Sequence, residues 1–316
     1  MTENNGSFVF ILGSPRSGTT ILGEILDNHR EISQWYEPYF VWDRFFRNWP
    51  HDERTFEDAG PLIQNQIFSD FSEYRKKSKG RIIIDKSPRN SLKVPFIKRI
   101  FPQARFIHIL RDGRDATLSI NKEWLAREKI VNDPSSGNAF NYRKAFGVIR
   151  EWLGRQPFIR HKIRALWFET HGHVFNKSRH LNRIRWNGQV GWGPRFKGWE
   201  SMLSKHSLLQ FNAYQWLSCV KKIIDYWQEI PEKDRIMIRY ENLIREGKET
   251  IDMILEFLKL DQYDEFYSLM PVLKQDNFNK WQKEFTREQI NEIKPILAPI
   301  LIELGYETNN TWPSDQ

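Results

Sequence analysis

The chain is poor in cysteine: Cys219 stands alone among 316 residues. No internal disulfide can form, which fits a reducing compartment. No run of about 18 apolar residues occurs, so no membrane span is expected. The opening MTENNGS is polar and lacks the apolar stretch of a secretory leader. Together these point to the cytoplasm and leave the Asn5, Asn176 and Asn309 sequons with little weight. Zinc-finger spacing, a basic helix and internal repeats are all missing, so a nucleic-acid-binding module is not expected. One further absence is a single lysine. Gly13-Ser-Pro-Arg-Ser-Gly-Thr-Thr20 nearly spells the phosphate loop Gly-x-x-x-x-Gly-Lys-Ser/Thr, but Thr19 stands at the lysine position. A loop with Arg16 inside it and no lysine suits a phosphate ester other than the magnesium-bound γ-phosphate of ATP.

What is present is a basic, aromatic-rich chain. It has 40% hydrophobic and 28% charged residues, a net charge of +8 and 13 tryptophans. That is enough apolar content for a large core, and the charge favours anionic ligands. The stretch Phe8–Asn28 organises the rest. Phe8–Leu12 reads as a short buried strand, and Ile21, Leu22, Ile25 and Leu26 fall at helical spacing. Strand, glycine loop and helix aim backbone N–H groups and a positive helix end at an anion. Further apolar runs at Arg81–Asp85, Arg105–Leu110 and Arg235–Arg239 read as strands, separated by helical patterns near 61–76, 91–101, 113–127, 208–228 and 249–260. This alternation predicts an α/β fold: a parallel sheet flanked by helices in three layers, as in the P-loop NTPases. A last helix, about 288–304, contains Pro295 and Pro299 and is expected to kink or split there. The chain reads as one domain, residues 1–316. Residues of about 130–206, where Trp152, Trp167, Trp186, Trp192 and Trp199 lie, form an irregular tryptophan-rich cap insertion.

Ligands of parallel sheets collect beyond the carboxyl ends of the strands. Thr20, Lys86 and Arg111 all follow strand ends, so their spacing predicts one shared site. Pro38 biases Glu37 towards an extended conformation on a loop. Asp85, beside Lys86, reads as structural, and His108, inside an apolar strand, as a satisfied core histidine. Arg114 and Asp115 read as helix-start charges. Glu169, His171 and His173 lack the further ligands that a metal site needs, and none is expected.

Four segments, in this order, resemble the sulfotransferases that use 3′-phosphoadenosine 5′-phosphosulfate (PAPS): Pro15–Thr20, Arg111–Ser119, Ile238–Leu243 and Asn279–Trp281. The resemblance is nearest to the tyrosylprotein and bacterial carbohydrate sulfotransferases. In the tyrosylprotein enzymes the catalytic glutamate follows the loop arginine by twenty-one residues, an offset that lands on Glu37. A lysine preceding the 3′-phosphate arginine by twenty-five residues lands on Lys86. The segment before Lys280 lacks the serine that touches the sulfate in those enzymes.

The resemblance implies the same fold, PAPS as donor and no metal. Arg16, Ser17, Gly18, Thr19 and Thr20 would hold the 5′-phosphosulfate. Arg111 and Ser119 would hold the 3′-phosphate, and Lys280 would reach a phosphate. Tyr240 is either a nucleotide contact or a core aromatic at a strand end. Glu37 would serve as general base, with Lys86 and Arg16 offsetting charge on the leaving phosphate. The expected acceptor is a hydroxyl on a carbohydrate or glycolipid; peripheral membrane contact is compatible with it. A P-loop phosphotransferase and a non-catalytic nucleotide-binding protein are the competing readings.

Overall fold

A computed structural model describes residues 7–132, 186, 191–274, 278–308 and 312, with the backbone alone at 129–132. β1 (Phe8–Leu12) is apolar and buried at every position, the pattern of a strand covered on both faces. It sits mid-sheet. With β2 (Ile32–Tyr36), β3 (Ile82–Lys86), β4 (Arg105–Leu110) and β5 (Arg235–Arg239), it forms an all-parallel sheet in the order β2-β3-β1-β4-β5. This is the three-layer α/β arrangement that the alternation predicts.

The period of two along β1 divides the core by chemistry. Val9 and Ile11 join Ile84, Ile107 and Ile109 in an aliphatic layer. The helices Thr19–Asp27 (Leu22, Ile25, Leu26) and Gly247–Leu258 (Leu255, Leu258) cover it. Phe8, Phe10 and Leu12 face the other way, towards Phe71, Phe101 and Phe106. The Phe10 ring centroid lies 5.3 Å from that of Phe101 and 5.8 Å from that of Phe106. The helices Pro61–Lys76, Val94–Ile100 and Leu208–Trp227 close this aromatic side.

After β1 the chain moves to β2 and β3 on one side, then crosses to β4 and β5 on the other. The crevice at that reversal, beyond the carboxyl ends of β1 and β4, is where such sheets bind ligands.

The structure corrects the sequence reading in several places. β2, ISQWY, is a strand that the apolar pattern does not reveal. A 3₁₀ turn, Pro88–Leu92, precedes the helix Val94–Ile100 in place of one helix over 91–101. The helix Arg287–Glu303 runs on through Pro295 and Pro299. Each proline removes the bond to the carbonyl four residues earlier. Those carbonyls belong to Asn291 and Pro295, which are both solvent-exposed, so water can satisfy them. His108 is buried as expected and packs on Trp227. Its ring nitrogens, however, have no hydrogen-bond partner among the described residues, and burial pushes its pKa down to about 3.

The chain divides into two compact units: residues 1–121 with 193–316, and residues 122–192. In the second, Trp124 and Trp186 pack edge to face at 5.2 Å. The rest of the tryptophan-rich stretch, with Glu169, His171 and His173, lies outside the described residues. No helix among the described residues is long and apolar enough to cross a membrane.

Candidate functional site

The loop between β1 and the first helix is tightly specified. Ser91, from the turn after β3, accepts from the Gly13 N–H at 3.0 Å and donates to the Gly13 carbonyl at 2.9 Å. The Ser14 and Ser17 hydroxyls meet at 2.6 Å. Gly18 has φ 92, and a Cβ there would lie 2.5 Å from the Tyr240 ring, so glycine is required both by conformation and by space. The helix Thr19–Asp27 begins at Gly18 without a side-chain cap and with no acidic residue in its first turn. Its first N–H groups therefore face the loop, the arrangement that receives an anion. Thr19 is buried and Thr20 half-buried in that first turn.

Across the sheet, register does what sequence offset only suggests. Pairing of β2 with β3 puts Tyr36 beside Lys86. The next residue, Glu37, donates its N–H to the Lys86 carbonyl at 3.2 Å and accepts from Lys86 Nζ at 2.7 Å. Lys86 is 1% exposed, and its ammonium lies 4.0 Å from the Tyr36 ring centroid. Glu37 sits on a loop as expected, but its φ of 44 is left-handed rather than extended. The two bonds to Lys86 hold a conformation that the following proline disfavours. Such a backbone costs about 1–3 kcal/mol and concentrates at functional sites.

Beyond β4, Arg111 is buried and donates from Nη1 to the Arg16 carbonyl at 2.8 Å. Its guanidinium carbon sits 4.5 Å from the Tyr240 ring centroid. Ser119, two turns into the helix Gly113–Asn132, accepts from Arg16 Nε at 2.9 Å. Arg16, Gly18, Arg111, Ser119 and Tyr240 are thus one connected group. Burial raises the Tyr240 phenol above its usual range, against the opposing pull of Arg111.

Comparison with known proteins bears directly on this arrangement. The family model described as Sulfotransferase family matches residues 8–156. Protein-tyrosine sulfotransferase A of Caenorhabditis elegans is 29% identical over 124 residues, covering 36% of this chain and 32% of that protein. Nodulation protein NoeE of Sinorhizobium fredii is 27% identical over 130 residues, covering 36% of this chain and 31% of that protein. The chain thus spans about a third of the length of these relatives. The sulfotransferase domain from the curacin biosynthetic pathway shares the fold at a TM-score of 0.55 and 13% identity, covering 95% of this chain and 97% of that domain.

The matched segment holds the loop, Glu37, Lys86, Arg111 and Ser119; Tyr240 and Lys280 lie beyond it. Three residues whose supporting roles the sequence does not reveal reach these outlying residues. Asp115, read as a helix-start charge, accepts from the backbone N–H groups of Asn279 and Trp281. It therefore ties the Lys280 segment to the helix that bears Ser119. Arg114 forms ion pairs with Asp112 and Glu307 and lies 4.3 Å from the Trp281 ring. Glu241 accepts from the Asp112 N–H and from the Tyr306 hydroxyl. Arg111 thus stands in front of a bonded polar layer.

A fourth such residue is Tyr39. Its hydroxyl reaches Glu37 and Ser87, and its ring lies under the Arg89 guanidinium at 3.7 Å. Burial, then the Glu37 charge, push its phenol well up. An aromatic after a proline gives no signal of this in sequence. Asp85 proves structural: fully buried, it accepts from Trp42 Nε1 at 2.7 Å.

Proposed function

We propose that this chain is a sulfotransferase that moves a sulfuryl group from PAPS to a hydroxyl on a carbohydrate or glycolipid. The observation that carries the reading is the Glu37–Lys86 contact at 2.7 Å, beside a cradle for one phosphate and an arginine–serine pair suited to a second. Sulfuryl transfer needs a base near the acceptor and a cation near the leaving oxygen. One pair of touching side chains supplies both.

The residues fit the donor at two ends. The uncapped helix start, with Gly18 shaped for close approach, suits the 5′-phosphosulfate. Arg111 and Ser119 offer a guanidinium and a hydroxyl to the 3′-phosphate. The donor supplies the sulfuryl group: the acceptor oxygen bonds to sulfur as the bond from sulfur to the bridging phosphate oxygen breaks. Glu37 takes the acceptor's proton at a carboxylate oxygen. Lys86 donates to the departing oxygen and offsets its charge. Lys86, 1% exposed, acts with little competition from water.

A glycan acceptor is supported by the rim. Tyr36 is 45% exposed and Phe40 64% exposed, on either side of Glu37. Phe40 rests edge-on against Trp35, which stacks on Tyr74 at 4.2 Å. Anchored, half-open aromatic faces suit the C–H faces of a sugar ring. A cytoplasmic setting is the reading that the lone buried Cys219 supports.

The test is a thermal-shift titration with adenosine 3′,5′-bisphosphate, run beside ATP with Mg²⁺. At 100 times its Kd the bisphosphate should stabilise the fold by about 2.7 kcal/mol. A radiolabelled-sulfate transfer assay on neutral glycosides and on tyrosine peptides then reads the acceptor. A shift with ATP and Mg²⁺ alone would make the chain a phosphotransferase. Sulfation of peptide tyrosine and of no glycan would overturn the acceptor.

A further inference from the structure

Resting on the reading of Glu37 as the base, we propose that Arg89 is its positioning residue: held between two carboxylates, the guanidinium fixes the Tyr39 ring and, through the Tyr39 hydroxyl, the Glu37 carboxylate. Two short runs face each other at the ends of β2 and β3. Lys86 holds Glu37 at both its carbonyl and its ammonium. Further along the same turn, the Arg89 guanidinium carbon lies 3.7 Å from the Tyr39 ring centroid. Between these contacts, the Ser87 hydroxyl accepts from the Arg89 N–H at 3.3 Å. That leaves its own proton for the Tyr39 oxygen, which it reaches. A phenol has one proton, so that of Tyr39 is left for its other neighbour, the Glu37 carboxylate. The donors run one way, from the Arg89 backbone through Ser87 and Tyr39 to Glu37.

The guanidinium is itself held from behind. Its Nη1 donates to Asp43 at 2.9 Å, and its Nε lies 3.9 Å from Asp52. Asp52 is buried and bound at both oxygens by Arg195, whose N–H donates to Oδ2 at 2.8 Å and whose Nη2 donates to Oδ1 at 3.2 Å. The Asp52 N–H returns a bond to the Arg195 carbonyl at 2.7 Å. Arg89 is 8% exposed, and a cation on a ring face counts for most when it is shielded from water. A planar group can stack on the ring while its edge pairs with carboxylates; an ammonium cannot do both. Without the stack the Tyr39 ring is free to tilt, and its proton no longer meets Glu37.

The experiment is a double-mutant cycle on Arg89→Lys and Tyr39→Phe, read by sulfuryl transfer to a neutral glycoside and by calorimetry with adenosine 3′,5′-bisphosphate. Lysine keeps the buried charge opposite Asp43 and Asp52 and loses the plane. Arg89→Lys should lower kcat several-fold, about as far as Tyr39→Phe, with acceptor KM and bisphosphate affinity unchanged. In the Tyr39→Phe background the same change should cost little more, because the link it acts through is already cut. Losses that multiply in the double variant would overturn the inference, as would an unchanged kcat or a rise in acceptor KM alone. Should Arg89→Lys fail to fold, Asp43→Asn takes its place in the cycle. Asp43 is half-buried, so that change loosens the hold on Arg89 without opening the core, and its kcat loss should likewise vanish beside Tyr39→Phe. If Glu37→Gln turns over like wild type, the base reading itself fails, and Arg89 has nothing to position.

Discussion

Glu37 and Tyr39 show how much a short loop can fix. Glu37 carries a left-handed backbone and two bonds to Lys86; Tyr39 bonds back to Glu37 through its own N–H at 2.6 Å and touches its carboxylate. Replacing Glu37 by Gln keeps the shape and removes the carboxylate proposed as the base. Turnover should fall by about 10²–10⁴-fold, while adenosine 3′,5′-bisphosphate affinity in calorimetry stays near wild type. An equal fall in nucleotide affinity would make Glu37 a donor ligand instead. Tyr39→Phe removes only a hydroxyl, so kcat should drop several-fold with the KM values for donor and acceptor unchanged. A rise in acceptor KM with kcat intact would place Tyr39 in acceptor binding. Of these residues, Glu37 and Lys86 were singled out by their offsets from Arg16 and Arg111, and the two side chains do touch. Tyr39 was not, because nothing in a Pro-Tyr-Phe run separates a hydroxyl used for orientation from a core aromatic.

The elements divide along a similar line. β1, β3 and β4 announce themselves because strands covered on both faces carry unbroken apolar runs, Phe8–Leu12 and Ile82–Ile84, or nearly unbroken ones, as in RFIHIL. β2 does not, because it is an edge strand and carries Ser33 and Gln34 at buried positions. Ser33 takes the Gly80 N–H at 3.0 Å, and the Gln34 N–H goes to Asp27 at 2.6 Å, so local polar bonds stand in for apolar pattern. The prolines suggested a kink or a split, and the split does not occur, since exposure of the freed carbonyls, invisible in sequence, lets the last helix continue. The most consequential join between elements is Asp115. It holds two N–H groups of residues 279–281, with Asn279 itself left-handed at φ 58. Asp115→Ala should leave those donors unpaired, at a cost of about 1–3 kcal/mol each. Calorimetry should show weaker adenosine 3′,5′-bisphosphate binding as the Lys280 segment loosens. Unchanged affinity, with only the melting temperature lowered, would mean that Lys280 is no donor contact.

At the scale of the whole molecule, the cost of the site shows in buried charge. Asp85 is fully buried and Lys93 4% exposed, both against Trp42, which bonds Asp85 at 2.7 Å and lies 4.8 Å from the Lys93 ammonium. This layer sits at the end of β3, directly behind Lys86, and fixes the strand end from which Lys86 reaches Glu37. Burial raises the Asp85 pKa to about 6 and lowers that of Lys93 to about 8. The linkage follows. Between about pH 4 and 6 the folded state holds the Asp85 proton that the unfolded chain has released. The stability this group contributes is therefore full below pH 4 and is lost as pH rises through 6. Lys93 works in the other window: above about pH 8 the unfolded chain holds the proton that the folded state has shed, so stability from this group rises towards pH 10.5. Asp85→Asn keeps an acceptor for Trp42 and removes the titration. Measured by urea unfolding, the variant should gain on wild type steadily from pH 4 to 6, by up to about 3 kcal/mol, and hold that gain at pH 7. A difference that stays flat across pH 4–6 would mean that Asp85 is already ionised when buried. The Lys93 ammonium would then hold the Asp85 carboxylate ionised through that range against the pull of burial.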